Sequence, residues 1–194
     1  MRRNYNLEII RMISCFFVIV IHVTNYFCRA YGEITQSEYL FALLLDTLAR
    51  VSVPCFFMIS GALLLGREEP LKKHRERLLR FLIALVVWSV VYYIWNRAFM
   101  KTEYNLKEIL YVPTEPHLWY LYAMIPIYMV LPFFQVMCKG MSGKLERALL
   151  IVCSASVVFN YVVSLQNGEA YYDLPLIGDK VYMFYIFIGY FIYK

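Results

Sequence analysis

The chain has 194 residues and a formal net charge of +5, with 61% hydrophobic against 17% charged residues. This composition lies far outside that of soluble proteins, and long uncharged runs between short charged islands are typical of a chain embedded in a bilayer. No basic tract resembles a nucleic-acid-binding surface, so no nucleic-acid partner is expected. The five cysteines lie in or beside apolar runs without a CxxC pair, and we expect neither disulfides nor a metal site.

Apolar runs along the chain predict a helical membrane protein. Five of them can each cross a hydrocarbon core of roughly 30 Å as a helix, and they span about residues 7–28, 41–65, 78–95, 118–138 and 148–165. A sixth run, 181–194, is shorter. We therefore predict an all-α polytopic transmembrane helix bundle with five complete spans and a truncated sixth. Residues 1–194 are interpreted as the N-terminal part of a longer membrane domain.

Lys and Arg residues are distributed unequally over the predicted loops. The N-terminus and the stretches 66–80 and 139–147 together carry 11 of them, whereas the three remaining loops carry 5. Because the cytoplasmic loops of membrane proteins are enriched in Lys and Arg, the pattern places the N-terminus in the cytoplasm.

Two polar residues lie on one face of the first predicted helix. Arg11 and His22 are eleven residues apart, and at about 100° per residue they fall within about 20° of each other around the helix. Polar groups at membrane depth are costly, so both are candidate functional residues. A neutral imidazole there can accept a proton near physiological pH. The alternative for His22 is a packing histidine that bonds to Thr24 or to a neighbouring helix.

Asp46 and Arg50 form a second polar pair inside an apolar run. Their i, i+4 spacing lets them neutralise each other on one helix face. Pro54 lies four residues after Arg50 and cannot donate to its carbonyl, so we expect the second span to bend or open near its middle. Pro126 and Pro132 predict the same for the fourth span. The pair has two interpretations, which are mutual neutralisation and the wall of a functional cavity.

The densest run of positive charge, residues 72–80, leads directly into the third predicted span. Arg77 and Arg80 are i, i+3 neighbours there, and guanidinium groups suit phosphate oxygens, so the run could dock a phosphorylated cofactor. Such a run equally suits fixing the topology and holding anionic lipid head groups.

Four short motifs follow one another along the chain. They are an R-x10-H pattern (Arg11, His22), an FFxxSG stretch (56–61), an R-x-x-R pattern (Arg77, Arg80) and an HLWYL stretch (117–121). With these motifs the chain resembles acyltransferase family 3 of integral membrane O-acyltransferases, near the subgroup that includes enterobacterial common antigen O-acetyltransferase. The stretch 187–190, Phe-Ile-Gly-Tyr, looks like a further family motif.

The resemblance implies an acyl-CoA donor, usually acetyl-CoA, used from the cytoplasm. The acceptor is a hydroxyl of a cell-surface or lipid-linked glycan, as in polysaccharide modification. It also implies a multi-pass protein of the bacterial plasma (inner) membrane, with membrane lipids and the glycan as partners and no metal.

The resemblance also implies roles for individual residues. His22 is the catalytic base or a transient acyl carrier, and Arg11 supports it or orients the donor. Arg77 and Arg80 contact the phosphates of the coenzyme. The roles of the remaining candidates, Asp46, Arg50, Ser60, His117 and Trp119, stay open.

Two other kinds of protein would use the same residues without acyl transfer. A transporter for a small anionic metabolite or an amino acid, including the membrane domain type fused to serine racemases, would line its route with Arg11, Arg50 and the basic run. A structural or sensory module would tolerate neutral replacement of Arg11 and His22. Donor dependence separates these functions, because an acyltransferase consumes acyl-CoA and releases a thiol.

Overall fold

The computed structural model describes residues 4–101, 109, 111–166 and 181–194. Within these ranges the chain forms seven α-helices and no strand, which confirms the predicted all-α fold. The helices are α1 (Tyr5–Arg29), α2 (Gln36–Ala49), α3 (Ser52–Leu64), α4 (Leu71–Trp95), α5 (Trp119–Gly140), α6 (Gly143–Leu165) and α7 (Tyr182–Tyr193). A π-helical turn, Asn96–Met100, continues α4, and a 3-10 turn, Pro116–Leu118, precedes α5.

Five helical segments are long and apolar enough to cross a membrane. They are Tyr5–Arg29, Gln36–Leu64, Leu71–Met100, Pro116–Gly140 and Gly143–Leu165, whereas α7 is a shorter apolar helix of 12 residues. The predicted five spans and shorter sixth are therefore confirmed. Four basic residues that entered the predicted orientation, Arg2, Arg3, Lys107 and Lys180, lie outside the described residues.

Polar caps extend the helices beyond the apolar runs. The side chain of Asn4 accepts hydrogen bonds from the first turn of α1, and Ser142 does the same for α6. Thr35 and Glu38 form a capping box at the start of α2. Because a helix begins at its cap and not at its first apolar residue, α1, α2 and α6 begin before the predicted spans do.

The second span is interrupted where the sequence predicts an opening. α2 ends at Ala49 and α3 begins at Ser52, so Pro54 lies in the first turn of α3, where its missing N–H is tolerated. The fourth span does not open in the same way, because α5 runs unbroken through Pro126 and Pro132. A row of buried side chains from Met124 to Cys138 packs along α5 and stabilises the helix across the two lost hydrogen bonds.

The chain divides into two compact units. The first unit comprises residues Met1–Gly66 and Met141–Lys194 and contains α1, α2, α3, α6 and α7. Within it, α3 packs against α7 and α1, and α1 packs against α2. The second unit, Arg67–Gly140, contains α4 and α5, which pack against each other.

Two glycines bring the backbones of α3 and α7 into contact. A Cβ atom added to Gly61 would lie 1.9 Å from the carbonyl oxygen of Ile186, and one added to Gly189 would lie 2.0 Å from that of Met58. No side chain fits at either position, so glycine is required. Helices in membranes associate largely through such close packing of small residues. The contact joins the FFxxSG stretch to the Phe-Ile-Gly-Tyr stretch.

In the second unit, aromatic and polar contacts join α4 to α5 and to the residues that precede α5. The rings of Phe81 and Tyr128 lie 4.7 Å apart, and the Asn96 amide donates to the Glu115 carboxylate at 2.9 Å. Asn96 is buried in the π-helical turn, and this bond satisfies its side-chain donor. The two helices are therefore joined along their apolar faces and near the Asn96 end of α4.

Replacing Gly189 by Ala should destabilise the first unit, because the added methyl meets the backbone at Met58, which cannot turn aside. We expect a loss of about 1–3 kcal/mol or more, which lowers the thermal unfolding midpoint of the detergent-solubilised protein. Gly143→Ala is the matched control, because nothing lies within 4 Å of a Cβ there. Equal midpoints for the two variants would contradict the close crossing of α3 and α7.

Candidate functional site

Arg11 and His22 lie on α1, as the sequence predicts, and both side chains are half-buried. Arg11 Nη1 is 3.1 Å from Glu8 Oε1, one turn earlier on the same helix. The two buried residues of α1 are Ser14 and Thr24. At about 100° per residue, the stripe shared by Arg11 and His22 lies roughly 60–80° around the axis from Ser14 and roughly 140–160° from Thr24, so both candidates stay partly accessible.

Asp46 joins α1 to α2. Its carboxylate is 6% exposed and accepts a hydrogen bond from Arg50 Nε at 2.6 Å, which confirms the predicted i, i+4 pair. The hydroxyl of Thr24 on α1 lies 2.9 Å from the Val20 carbonyl oxygen of its own helix and 3.2 Å from Asp46 Oδ1. Arg50 itself is 67% exposed and follows the last residue of α2. The pair therefore neutralises charge and also fixes α1 beside the interruption of the second span.

Ser60, the serine of the FFxxSG stretch, has a local partner. Its hydroxyl donates to the carbonyl of Phe56, four residues earlier on α3, at 2.9 Å. This bond is the usual way in which a serine within a helix satisfies its hydroxyl. Phe57 in the same stretch is fully buried, and its ring stacks on that of Tyr182 at 4.7 Å. In the described geometry, the stretch contributes packing between α3 and α7.

Arg77 and Arg80 lie near the start of α4 in the second unit, but their surroundings differ. The Arg77 guanidinium forms a two-point ion pair with the Glu69 carboxylate, with Nη2 donating to Oε1 at 2.8 Å and Nη1 paired with Oε2. Arg67 Nη1 lies 3.7 Å from Glu69 Oε1. Arg80 is exposed and has no hydrogen bond or ion pair with any described residue. Arg77 is thus already paired, whereas Arg80 is open to an incoming anion.

The Glu69 carboxylate is enclosed by positive charge. The hydrogen bond from Arg77 holds the pKa of that carboxyl below its ordinary value, against the opposing effect of burial, and Arg67 and Lys73 add to the lowering. Glu69 is therefore ionised at neutral pH. His74, one turn before Arg77 on the same helix, is 5% exposed, and neither of its ring nitrogens has a hydrogen-bond partner among the described residues.

His117 and Trp119 lie where the 3-10 turn leads into α5. The His117 ring meets the ring of Tyr92 on α4 edge-on at 4.9 Å, and Trp119 packs edge-on against Tyr120 at 6.1 Å. These contacts form an aromatic cluster at one end of the second unit. No group of three or more side chains of the kinds that bind metals comes together among the described residues.

A family model described as an acyltransferase domain matches residues 4–194. The chain belongs to acyltransferase family 3. No curated protein and no solved structure matches it significantly. The match covers all of the motifs that suggested the family, from Arg11 to the stretch at 187–190. This acyltransferase is a multi-pass membrane protein, since its family is a membrane family and five of its helices are long and apolar enough to span a bilayer.

Three partners of candidate residues in the acyltransferase escaped sequence reasoning. Glu8 pairs with Arg11, Thr24 with Asp46, and Glu69 with Arg77. Only the pair of Glu8 and Arg11 can be predicted from the sequence, because opposite charges spaced i, i+3 on a helix lie in contact. The sequence suggests Thr24 only as a partner of His22. Glu69 is separated from Arg77 by the start of α4, so its approach depends on the loop geometry.

Thr24→Val in the acyltransferase should weaken the packing of α1 on α2, because it removes the hydroxyl beside buried Asp46. We expect a loss of about 0.6–2 kcal/mol in the free energy of unfolding, seen in thermal unfolding of the detergent-solubilised protein followed by circular dichroism. Thr47→Val is the matched control, since the exposed Thr47 hydroxyl donates only to the Leu43 carbonyl of its own helix. Similar losses in both variants would mean that Asp46 does not depend on Thr24.

Proposed function

We propose that this acyltransferase moves an acetyl group from acetyl-CoA to a hydroxyl of a cell-surface or lipid-linked glycan. The main support is His22, a half-buried imidazole on a membrane span of a chain that belongs to an acyltransferase family. Transfer from a thioester to a hydroxyl needs a base beside the attacking oxygen. Histidine suits this task, because it gains and loses a proton near neutral pH.

In the proposed reaction, His22 takes the proton of the acceptor hydroxyl while the hydroxyl oxygen attacks the thioester carbonyl carbon. The carbon–sulfur bond then breaks, and the imidazolium returns the proton to the departing thiolate. Arg11 lies about 16 Å from His22 along the helix axis, too far to contact the same reacting atoms. We therefore assign Arg11 to orienting the donor. A backbone N–H nearer His22 stabilises the negative charge that develops on the thioester oxygen.

His22→Ala should lower the rate of acetyl transfer at least about 100-fold, the usual minimum contribution of a general base. Membranes are supplied with acetyl-CoA that carries a labelled acetyl group. The label incorporated into glycan and the release of free coenzyme A thiol are both measured, and the variants are compared at matched expression. Val23→Ala is the control, because it alters the adjacent, exposed residue of α1.

Unchanged transfer by well-folded His22→Ala protein would contradict the assignment of the base. Movement of an anionic metabolite or an amino acid without thiol release would instead favour the transporter alternative, which uses the same polar residues at membrane depth. Both readouts come from the same membranes.

For the second unit, we propose that Arg77 and Arg80 bind the phosphates of the donor. Guanidinium groups contact phosphate oxygens through paired N–H donors. Arg80 is exposed and unpaired among the described residues, so it is suited to first contact with an anion. Arg77, three residues earlier on α4, is the more buried of the two.

Arg80→Gln should raise the KM for acetyl-CoA about tenfold and change kcat less, because it removes one charged hydrogen-bond donor from donor binding. Arg75→Gln is the matched control, since Arg75 belongs to the same exposed basic run but lies on another face of α4. An equal rise in KM for both variants would indicate diffuse electrostatic attraction and would argue against a specific phosphate contact.

The proposed setting is the bacterial inner membrane with the N-terminus in the cytoplasm. The excess of Lys and Arg on the side that holds the N-terminus supports this orientation. It would place the start of α4, with Arg77 and Arg80, on the side where acetyl-CoA is made. The order of the four motifs supports a place near the subgroup of enterobacterial common antigen O-acetyltransferase.

A further inference from the structure

The Glu69 carboxylate is held as an arginine site would hold a phosphate. Glu69 Oε1 accepts a hydrogen bond from Arg77 Nη2 and Oε2 is ion-paired with Nη1, so the carboxylate lies against the guanidinium, the group with which arginine also binds phosphates. The side chain of Glu69 is 8% exposed, although it belongs to the short segment between α3 and α4. Glu69 therefore occupies the guanidinium of Arg77, which the proposed function assigns to binding a phosphate of the donor.

Positive charge around Glu69 exceeds what one carboxylate neutralises. Arg67, Lys73 and Arg77 all act electrostatically on this single anion. Arg67 Nε, Arg77 Nη1, both ring nitrogens of His74 and one carboxylate oxygen, Glu69 Oε2, are buried without a hydrogen-bond partner among the described residues. Buried donors are normally satisfied, so the unpartnered Arg67 Nε and Arg77 Nη1 leave the cluster suited to an anion with more acceptor oxygens than the Glu69 carboxylate. A phosphate dianion has the charge and the oxygens to supply this need.

We infer that Glu69 is an internal competitor that occupies the phosphate site on Arg77 and is displaced when a phosphate of the donor binds. This role rests on the proposed function, because it names Arg77 as the residue that receives the coenzyme. Arg67, with Nη1 only 3.7 Å from Glu69 Oε1, gives the displaced carboxylate a second cation. The exchange therefore never leaves a buried carboxylate without a partner, which would be costly.

The competition has a consequence for donor selection. A ligand must bind Arg77 more strongly than the Glu69 carboxylate does, so a singly charged anion gains little binding energy by replacing Glu69. A phosphate monoester or a pyrophosphate gains more, because it carries additional charge and can also contact Arg80. Glu69 would thus favour multiply charged phosphates, such as those of a coenzyme, over singly charged anions.

Glu69→Gln tests the inference through binding of adenosine 3′,5′-bisphosphate, which carries two of the three phosphates of the donor. The intact protein is reconstituted in phosphatidylcholine nanodiscs, and binding is measured by calorimetry. Removing the competitor should tighten the Kd about tenfold. Glu68→Gln is the matched control, because it removes one negative charge at the adjacent position, where the exposed carboxylate pairs with Lys139. We expect the Kd of that variant to change less than twofold.

A Kd for Glu69→Gln that equals or exceeds the wild-type value would overturn the inference and show that Glu69 only anchors the segment before α4. If wild type, Glu69→Gln and Glu68→Gln all fail to bind the bisphosphate, the proposed donor site fails as well. If His22-dependent transfer is intact and Glu69→Gln binds the bisphosphate more tightly than a weakly binding wild type, both the inference and the proposed function are supported; if transfer is intact and neither protein binds, the inference is overturned and the proposed base stands. Should Glu69→Gln unfold, Glu69→Asp retains the charge, shortens the reach to Arg77 and should tighten binding about threefold.

A lipid phosphate is the other source of the same chemistry. Repeating the titration in nanodiscs that contain phosphatidylglycerol separates the two sources. If Glu69→Gln increases lipid retention, measured by mass spectrometry, without tightening bisphosphate binding, the anion is a lipid head group and the assignment to the donor is overturned. Tighter bisphosphate binding in both lipids supports it.

Discussion

The backbone contact between α3 and α7 is the constraint on which the first unit depends. Helices in a bilayer gain little from the hydrophobic effect when they associate, so their close packing has to supply the stability. Gly61 and Gly189 allow this packing because each faces a carbonyl of the other helix at a distance that excludes a side chain. Two stretches that resemble family motifs are thus the two sides of one crossing. Packing accounts for them, and Ser60 bonds within its own helix.

Charge neutralisation by carboxylates is the second recurring feature, and it has different consequences in the two units. Asp46 is buried and fixed by Thr24 and Arg50, in an arrangement that ties two helices together. Glu69 is equally enclosed, but its neighbours carry more positive charge than it can neutralise. The first network is therefore suited to rigidity, and the second to exchange of one anion for another. This difference supports a structural role for Asp46 and a ligand-related role for Glu69.

Local patterns in the sequence predicted most of the helices and one of the ion pairs. The apolar runs located the spans, and the i, i+4 spacing identified the pair of Asp46 and Arg50, because both depend only on neighbours along one helix. The contact of Gly61 with α7 could not be predicted, since it joins residues more than a hundred positions apart. The unbroken α5 was missed for a related reason: its prolines argue for an opening, whereas packing along the helix overrides that local preference.

Pairing with a carboxylate does not remove an arginine from function. A guanidinium has five N–H donors, and Glu8 accepts a hydrogen bond from one nitrogen of Arg11. The remaining donors of Arg11 can still bind a substrate oxygen, while Glu8 lowers the cost of placing the cation near the membrane. Arg77 differs, because both oxygens of one carboxylate, Glu69, are paired with the two terminal nitrogens of its guanidinium, one through a hydrogen bond and one through charge alone. A ligand can therefore join Arg11 beside its partner, but it has to replace the partner of Arg77.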